Sequence, residues 1–368
     1  MRTIAVLNQK GGVGKTTTVA NIAAALAAAG SKVVAIDLDP QAHLTIHLGL
    51  EPQSIEAGSY GILTQSARFE EQILPVRPNL WLLPANINLV GAETELVSVV
   101  GRETILREAL QSSEDQFDYC FIDCAPSLGL LTLNALAAAD EVLIPLQPHF
   151  LALQGFGQLL QTIELVNKRI NPHLTVKGIL LCMFDSRASL PNEVKADIEQ
   201  FLENARGTNS AWSEARILPT FIRRNIKLAE APSYGKTIFE YEQNCNGAED
   251  YRKVAEFIHA QFQPTPQTEM PEPLAAGEIH DPCESAEASP AQTPPADPNG
   301  NQDSPSAIDG PSSQTEPHEP PQHVANTLPQ IKLPIEIREI RQSDSHAQPD
   351  FTQTRSDSSQ AETEYTTF

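Results

Sequence analysis

Asn8-Gln9-Lys10-Gly11-Gly12-Val13-Gly14-Lys15-Thr16-Thr17 is the stretch from which the rest of the chain is read. Before it stands Ile4-Ala5-Val6-Leu7, an apolar run short enough to be a buried strand. After it, Val19 to Ala29 is rich in alanine and has good helix propensity, with Gly30 placed to cap the helix. A strand, a glycine loop and a helix start are the context that a phosphate-binding loop requires. The glycines allow backbone N–H groups to turn inward and approach an anion, and the helix N-terminus adds free donors and its dipole. Gly11, Gly12, Val13 and Gly14, with Lys15, Thr16 and Thr17, are therefore the candidate nucleotide-binding set. Lys15 can reach the β- and γ-phosphates, and the Thr16 hydroxyl can ligate Mg²⁺. The competing reading, a glycine-rich turn with one surface lysine, leaves the flanking strand and helix unexplained.

The spacing departs from G-x-x-x-x-G-K-[ST], because Gln9 stands where the first glycine would fall and a second lysine, Lys10, precedes the paired glycines. The pattern K-G-G-x-G-K-[ST] resembles the deviant Walker A loop of the ParA/MinD ATPases. That resemblance implies ATP and Mg²⁺ as cofactors and Lys10 as a residue that reaches the nucleotide of a partner subunit. A homodimer with two ATP molecules between its subunits follows from the resemblance; the spacing alone gives a phosphate loop with an extra cation beside it.

The 368-residue chain carries a net charge of −22, unevenly distributed. From Gln263 onward, 4 Lys and Arg face 18 Asp and Glu, a net of −14, which leaves −8 for residues 1–262. The same tail holds 17 of the 29 prolines, is rich in Ser, Gln and Thr, and has few aromatics. Such a composition cannot bury enough apolar area to offset chain entropy. We expect one ATPase domain over 1–262 and a disordered acidic tail over 263–368. Neither a signal peptide nor a membrane span is expected, since Leu128 to Leu153 is broken by Asp140, Glu141, Pro145 and Pro148. The five cysteines, Cys120, Cys124, Cys182, Cys245 and Cys283, form no C-x-x-C pair. Cys120 and Cys124 read as small hydrophobes on a buried strand, which argues against the cluster-bearing relatives of this loop and for a reducing cytoplasm.

Two further segments supply carboxylates. Lys32 to Ile36 is an apolar strand running into Asp37-Leu38-Asp39-Pro40-Gln41. Acids just past a strand's C-terminal end lie where open α/β sheets bind ligands, and they can hold Mg²⁺ through water or orient an attacking water. The alternative for D-x-D-P is a helix cap and turn. The resemblance extends to this segment and implies that Asp39 positions the hydrolytic water, with Asp37 near the metal. Phe117 to Asp123 is a second apolar strand delivering one acid, Asp123, to the Mg²⁺ side of the site. The family usually has two prolines after this acid; here Ala125 replaces the first.

Elsewhere, residues 42–79 read as short helices and loops, and Trp81 to Pro84 as a strand. Asn88 to Glu95 resembles a family segment without suggesting a chemistry. Helices are predicted over 102–110, 128–139, 151–170, 191–203 and 251–262, and strands over 141–146 and 176–183. Strand alternates with helix, which predicts an α/β fold with a mostly parallel central sheet covered on both faces, a P-loop NTPase.

Arg216 to Lys236 is a basic island, with Arg216, Arg223, Arg224, Lys227 and Lys236 against Glu230 alone, a net of +4. Within it, "RNIKLAEAPSYGKTI" resembles the C-terminal signature of ParA/Soj proteins. The resemblance implies proximity to the adenine, hence Asn225 as a nucleotide contact, and a surface for non-specific DNA. Those five cations and Arg187 are the DNA-binding candidates, weighed against a solvated charged helix face. The family commonly has proline at the position of Arg223.

The expected function is a ParA-type partition ATPase, cytoplasmic and nucleoid-associated. It would dimerise with ATP, bind DNA non-specifically, and be stimulated by a ParB-like centromere-binding protein or other cargo adaptor. The alternatives are a positioning ATPase for a protein assembly and, more distantly, a MinD-like membrane switch. Only seven residues precede Asn8, so no helix-turn-helix is expected there. Residues 328–341, in which Ile alternates with charges over 335–340, could dock on a partner by strand addition, or serve no purpose within the linker. They lack the basic face and bulky apolar stripe of a membrane helix.

Overall fold

The computed structural model describes residues 1–261, so the acidic tail and its 328–341 segment lie outside the described residues. The strands are β1 (Arg2–Val6), β2 (Val33–Leu38), β3 (Leu74–Arg77), β4 (Leu80–Leu83), β5 (Tyr119–Cys124), β6 (Glu141–Leu146), β7 (Thr175–Phe184), β8 (Arg216–Ile217) and β9 (Ile222–Arg223). In the first half the helices are α1 (Lys15–Ala28), α2 (His43–His47), α3 (Gly58–Leu63), α4 (Phe69–Gln72), α5 (Leu89–Glu95) and α6 (Ile105–Gln111). The second half adds α7 (Leu130–Ala138), α8 (Phe150–Arg169), α9 (Ser189–Asn204), α10 (Ile226–Glu230), α11 (Ile238–Tyr241) and α12 (Asn246–Ala260).

The sheet order is β3-β4-β2-β5-β1-β6-β7-β8, with β9 also on β7. All pairings are parallel except β3 with β4. Every residue of β1, β2 and β5 is buried, as a parallel sheet covered on both faces demands. α1 packs on α12 and touches β2 and β5, while α7 packs on α6 and touches β1, β2 and β5. Ile22 and Leu26 of α1 enter one core with Phe121 of β5 and Tyr251, Val254 and Ile258 of α12. Each such side chain contributes about 1.5–3 kcal/mol by leaving water.

Register places the chemistry. Val6 of β1 and Asp37 of β2 both stand opposite Asp123 of β5. The phosphate loop starts just past the end of β1, so two acids and the loop share the carboxyl end of three adjacent strands. β1 lies between β5 and β6, and ligands in open α/β sheets bind in the crevice at such a point.

Three differences from the sequence reading have physical causes. α1 begins at Lys15 rather than Val19, because Thr16 to Thr18 continue the helix directly from the loop. β2 continues through Leu38, so Asp37 lies inside the strand and not beyond it. The loop-rich reading of 42–79 missed β3, an edge strand containing Pro75 with Leu74 and Pro75 exposed; proline is tolerated at such an edge. Among the described residues no helix is long and apolar enough to cross a membrane.

The C-terminal signature is seated on the turn after α2. Gly49 (φ +89°) and Gly235 (φ +61°) meet backbone to backbone, and a Cβ on Gly235 would come within 2.8 Å of the Gly49 Cα. Arg77 of β3 bridges the joint, donating to the Leu48 carbonyl at 2.8 Å and the Gly235 carbonyl at 2.9 Å. Gly235→Ala should lower stability by about 2 kcal/mol through the left-handed backbone and this clash. Chemical denaturation checks it; an unchanged midpoint would show that the joint opens freely.

Candidate nucleotide site

The loop leaves the buried end of β1 and turns into α1 through Gly12 (φ +72°) and Gly14 (φ +98°), left-handed positions where a side chain would be strained. Gly14 is the N-cap of α1 and makes no side-chain bond, so the first helical N–H groups are left to an anion. Lys15 is only 8% exposed, and its Nζ lies 3.4 Å from the Lys10 carbonyl, which folds the ammonium back over the loop. Asn8 braces the loop's entry: its Nδ2 donates to the Pro145 carbonyl at 2.7 Å and its Oδ1 accepts from the Lys10 N–H at 3.0 Å.

Thr16 Oγ1 donates to Asp123 Oδ2 at 2.7 Å, joining the first turn of α1 to the end of β5. The other oxygen, Asp123 Oδ1, is buried without a hydrogen-bond partner. Burial, then the Asp37 charge, pushes the Asp123 carboxyl well above the carboxylate range, opposed by Thr16 and Lys15. A buried orphaned carboxylate oxygen beside a hydroxyl suits a hard, oxygen-seeking cation. Among the described residues no cluster of three or more His, Cys, Asp or Glu could hold a metal alone. The site therefore fits Mg²⁺, which usually takes one or two carboxylates and completes its shell with phosphate oxygens and waters. Thr16 and Asp123 would hold it.

Asp37 is fully buried and already engaged. Its Oδ2 accepts from Thr45 N at 2.8 Å and Thr45 Oγ1 at 2.7 Å, and its Oδ1 accepts from Asp39 N at 3.2 Å. Burial raises its pKa to about 6 against these bonds. The acid lies next to the Asp123 side chain, as its register requires, yet its oxygens are held mainly by the backbone and Thr45. Asp39 is 8% exposed, and its Oδ1 accepts from Gln41 N at 2.9 Å, a turn of the kind the sequence allowed as the alternative. Its other carboxylate oxygen makes no hydrogen bond to the described residues, which leaves an acceptor for a water.

A cavity of about 250 Å³ opens beside the loop, lined by Asn8, Gln9, Lys10, Val13, Gln147, Ala152 and Gly155. Lys10 Nζ contacts His149 Nε2 at the mouth of α8. No sequence signal points to His149 or Thr45; the partner of the first is far away in the chain and that of the second is set by where β2 ends.

The basic island divides. Arg223 is not a free cation: its Nη2 lies 2.6 Å from Asp250 Oδ1 and 2.8 Å from Glu249, and its backbone N–H also donates to Asp250. Lys227 pairs with Glu230 at 2.9 Å and lies over the Tyr241 ring, while Arg216 stacks on Phe257. Arg224 and Lys236 are exposed and make no ion pair among the described residues. Arg187 is exposed, with a 3.4 Å contact to Asp185. It lies just past β7, whose Phe184 is in register with Arg223. Asn225 caps α10 by accepting from Lys227 N at 2.9 Å, which leaves its Nδ2 available.

A family model described as an AAA domain matches residues 1–176. The sporulation initiation inhibitor protein Soj of Bacillus subtilis is 43% identical over 258 residues, covering 70% of this chain and 98% of that protein. The chain belongs to the ParA/Soj family. The chromosome partitioning protein ParA of Myxococcus xanthus is 44% identical, across 68% of this chain and 85% of its own. Among solved structures, a Mycobacterium smegmatis protein named cobyrinic acid a,c-diamide synthase, with ADP and magnesium bound, matches at TM-score 0.61 and 37% identity. That match covers 71% of this chain and 95% of the other. The septum site-determining protein MinD of Pyrococcus horikoshii, at 22% identity and TM-score 0.56, shares the fold; its match covers 70% and 95% of the two chains.

Proposed function

We propose that the chain is a partition ATPase that hydrolyses ATP with Mg²⁺, dimerises in the ATP state and binds DNA without sequence preference. The Thr16–Asp123 contact with its orphaned oxygen, beside Lys15 and the open helix N-terminus, carries the nucleotide reading. The name of the Myxococcus xanthus relative, a chromosome partitioning protein at 44% identity, supports the cellular role. Bound Mg²⁺ supplies charge neutralisation at the phosphate oxygens. Lys15 and the loop N–H groups hold the phosphates, Asp39 orients water, and Lys10 reaches the nucleotide of the partner subunit. Hydrolysis is stimulated by a ParB-like centromere-binding protein or other cargo adaptor. We place the protein in the cytoplasm, on the nucleoid.

The exposed cations Arg224 and Lys236, with Arg187 beyond β7, are the DNA contacts we favour, because no firm ion pair competes for them. A body of net −8 repels DNA at long range. Binding therefore relies on a few cations on one face, which dimerisation doubles. The slope of log affinity against log salt should be about −0.9 per phosphate contacted. Arg224→Glu and Lys236→Glu should weaken binding to all duplexes alike while ATP-dependent dimerisation survives. Arg223→Ala should act on the fold instead. Removing a half-exposed guanidinium from the buried Asp250 costs about 1–2 kcal/mol after allowing for screening. Filter binding across a salt series, paired with thermal melts, separates the two. Salt-insensitive binding, or none with ATP present, would favour cargo made of protein.

A further inference from the structure

Lys10 has an anchored backbone and, among the described residues, a side chain with one partner. Its N–H is held by Asn8, and its carbonyl lies within reach of Lys15. Its ammonium meets no carboxylate among the described residues; it meets the His149 ring at Nε2. A lysine ammonium has donors only, so Nε2 must accept, and the ring must be neutral with its proton on Nδ1. His149 is the extended residue (φ −146°, ψ 159°) preceding the 20-residue helix α8. Asn8 holds the β6 end near this turn to the loop through the Pro145 carbonyl, so lysine and histidine sit on two braced segments. Lys10 also lines the cavity beside the loop, together with Ala152 and Gly155 of α8. The lysine thus stands at an opening, held by an uncharged acceptor.

A carboxylate at this place would hold the ammonium through a charge-assisted bond and compete with phosphate. A neutral imidazole holds it weakly and can also be switched off, since a protonated ring has no acceptor and repels the ammonium. We propose that His149 is a positioning residue that holds Lys10 at the edge of its own loop in the monomer and releases it to the partner's nucleotide as the dimer forms. This inference rests on the dimer role of Lys10 given above. Lys10 is the one titratable side chain found against His149 among the described residues; burial and the Lys10 charge both lower the pKa of the ring. A hydrogen bond to the His149 backbone opposes them in part. The hold is therefore intact at neutral pH and lost as pH falls through the His149 titration, so mild acid should favour dimerisation in ATP.

The test uses the full chain with a non-hydrolysable ATP analogue, Mg²⁺ and sedimentation from pH 5.5 to 8. Wild type should dimerise about tenfold more tightly at the acid end, because the competent fraction of Lys10 rises. His149→Ala should match that tighter affinity at every pH. His149→Gln retains an acceptor that does not titrate, and should dimerise like wild type at pH 8 without the acid gain. Nitrogen-15 NMR of the nucleotide-free protein should show the Nδ1–H tautomer at His149 at pH 8 and a shifted Nε2 signal in Lys10→Ala. An Nε2–H tautomer, or a His149→Ala protein with the wild-type pH profile, overturns the proposal. If Lys10→Ala itself dimerises normally, the dimer role of Lys10 fails first and the proposal with it. If Lys10→Ala stays monomeric while the His149 variants behave as wild type, this inference alone fails.

Discussion

Lys15→Ala should lower ATP affinity by about a hundredfold or more, the scale of losing a pre-placed charge in a desolvated site. Lys15 is 8% exposed, and its ammonium already lies over the loop where phosphates would sit. Apart from Lys10, the loop offers only backbone N–H groups and hydroxyls, and α1 carries no second cation to replace it. Lys10→Ala should give a different outcome: nearly unchanged affinity of the monomer for ATP, and loss of the ATP-dependent dimer. The Lys10 ammonium meets His149 and takes no part in the Thr16–Asp123 contact, which is why its loss should spare the subunit's own nucleotide. Fluorescent nucleotide titration and sedimentation on both variants check the division. Equal loss of nucleotide affinity in the two would show that both lysines serve one site.

How far the sequence led depended on how local each determinant was. β6 spans Glu141–Leu146, the run whose pattern predicts a strand, because six apolar-rich residues between Asp140 and Gln147 have no competing pattern. The loop, Asp123 and the helix after it were legible for the same reason: residue type and spacing within about ten positions determine them. Three features of the site were not legible. Thr45 reaches Asp37 only because β2 runs on to Leu38 and α2 folds back over its end. His149 meets Lys10 across 139 residues, through the β1–β6 pairing. Asp250 meets Arg223 across 27 residues, through the packing of α12 on β9. The charge count over 216–236 treats Arg223 like Arg224, whereas the tertiary partner on α12 makes them different.

Asp39→Ala should bind ATP and dimerise yet hydrolyse about a hundredfold more slowly, leaving a trapped dimer, since positioning one water is typically worth that much. Two roles compete for this residue, a turn that the structure shows and a water contact that we propose. Asp39 Oδ1 accepts from Gln41 N at 2.9 Å and shapes the turn after β2, while the second oxygen makes no hydrogen bond to the described residues. Alanine removes both functions. Asp39→Asn retains the acceptor for Gln41 N and removes the charge that would orient and polarise a water. If the water role holds, asparagine and alanine variants should be similarly slow, and the asparagine protein should melt close to wild type. If the turn is what counts, asparagine should restore turnover and only alanine should fail, with a lower melting temperature. Phosphate release under saturating ATP, gel filtration with ATP and thermal melts on the two variants decide between them. Wild-type turnover in both would remove Asp39 from the mechanism. The acid would then remain a turn-former between β2 and α2, and the hydrolytic water would need another acceptor in the site.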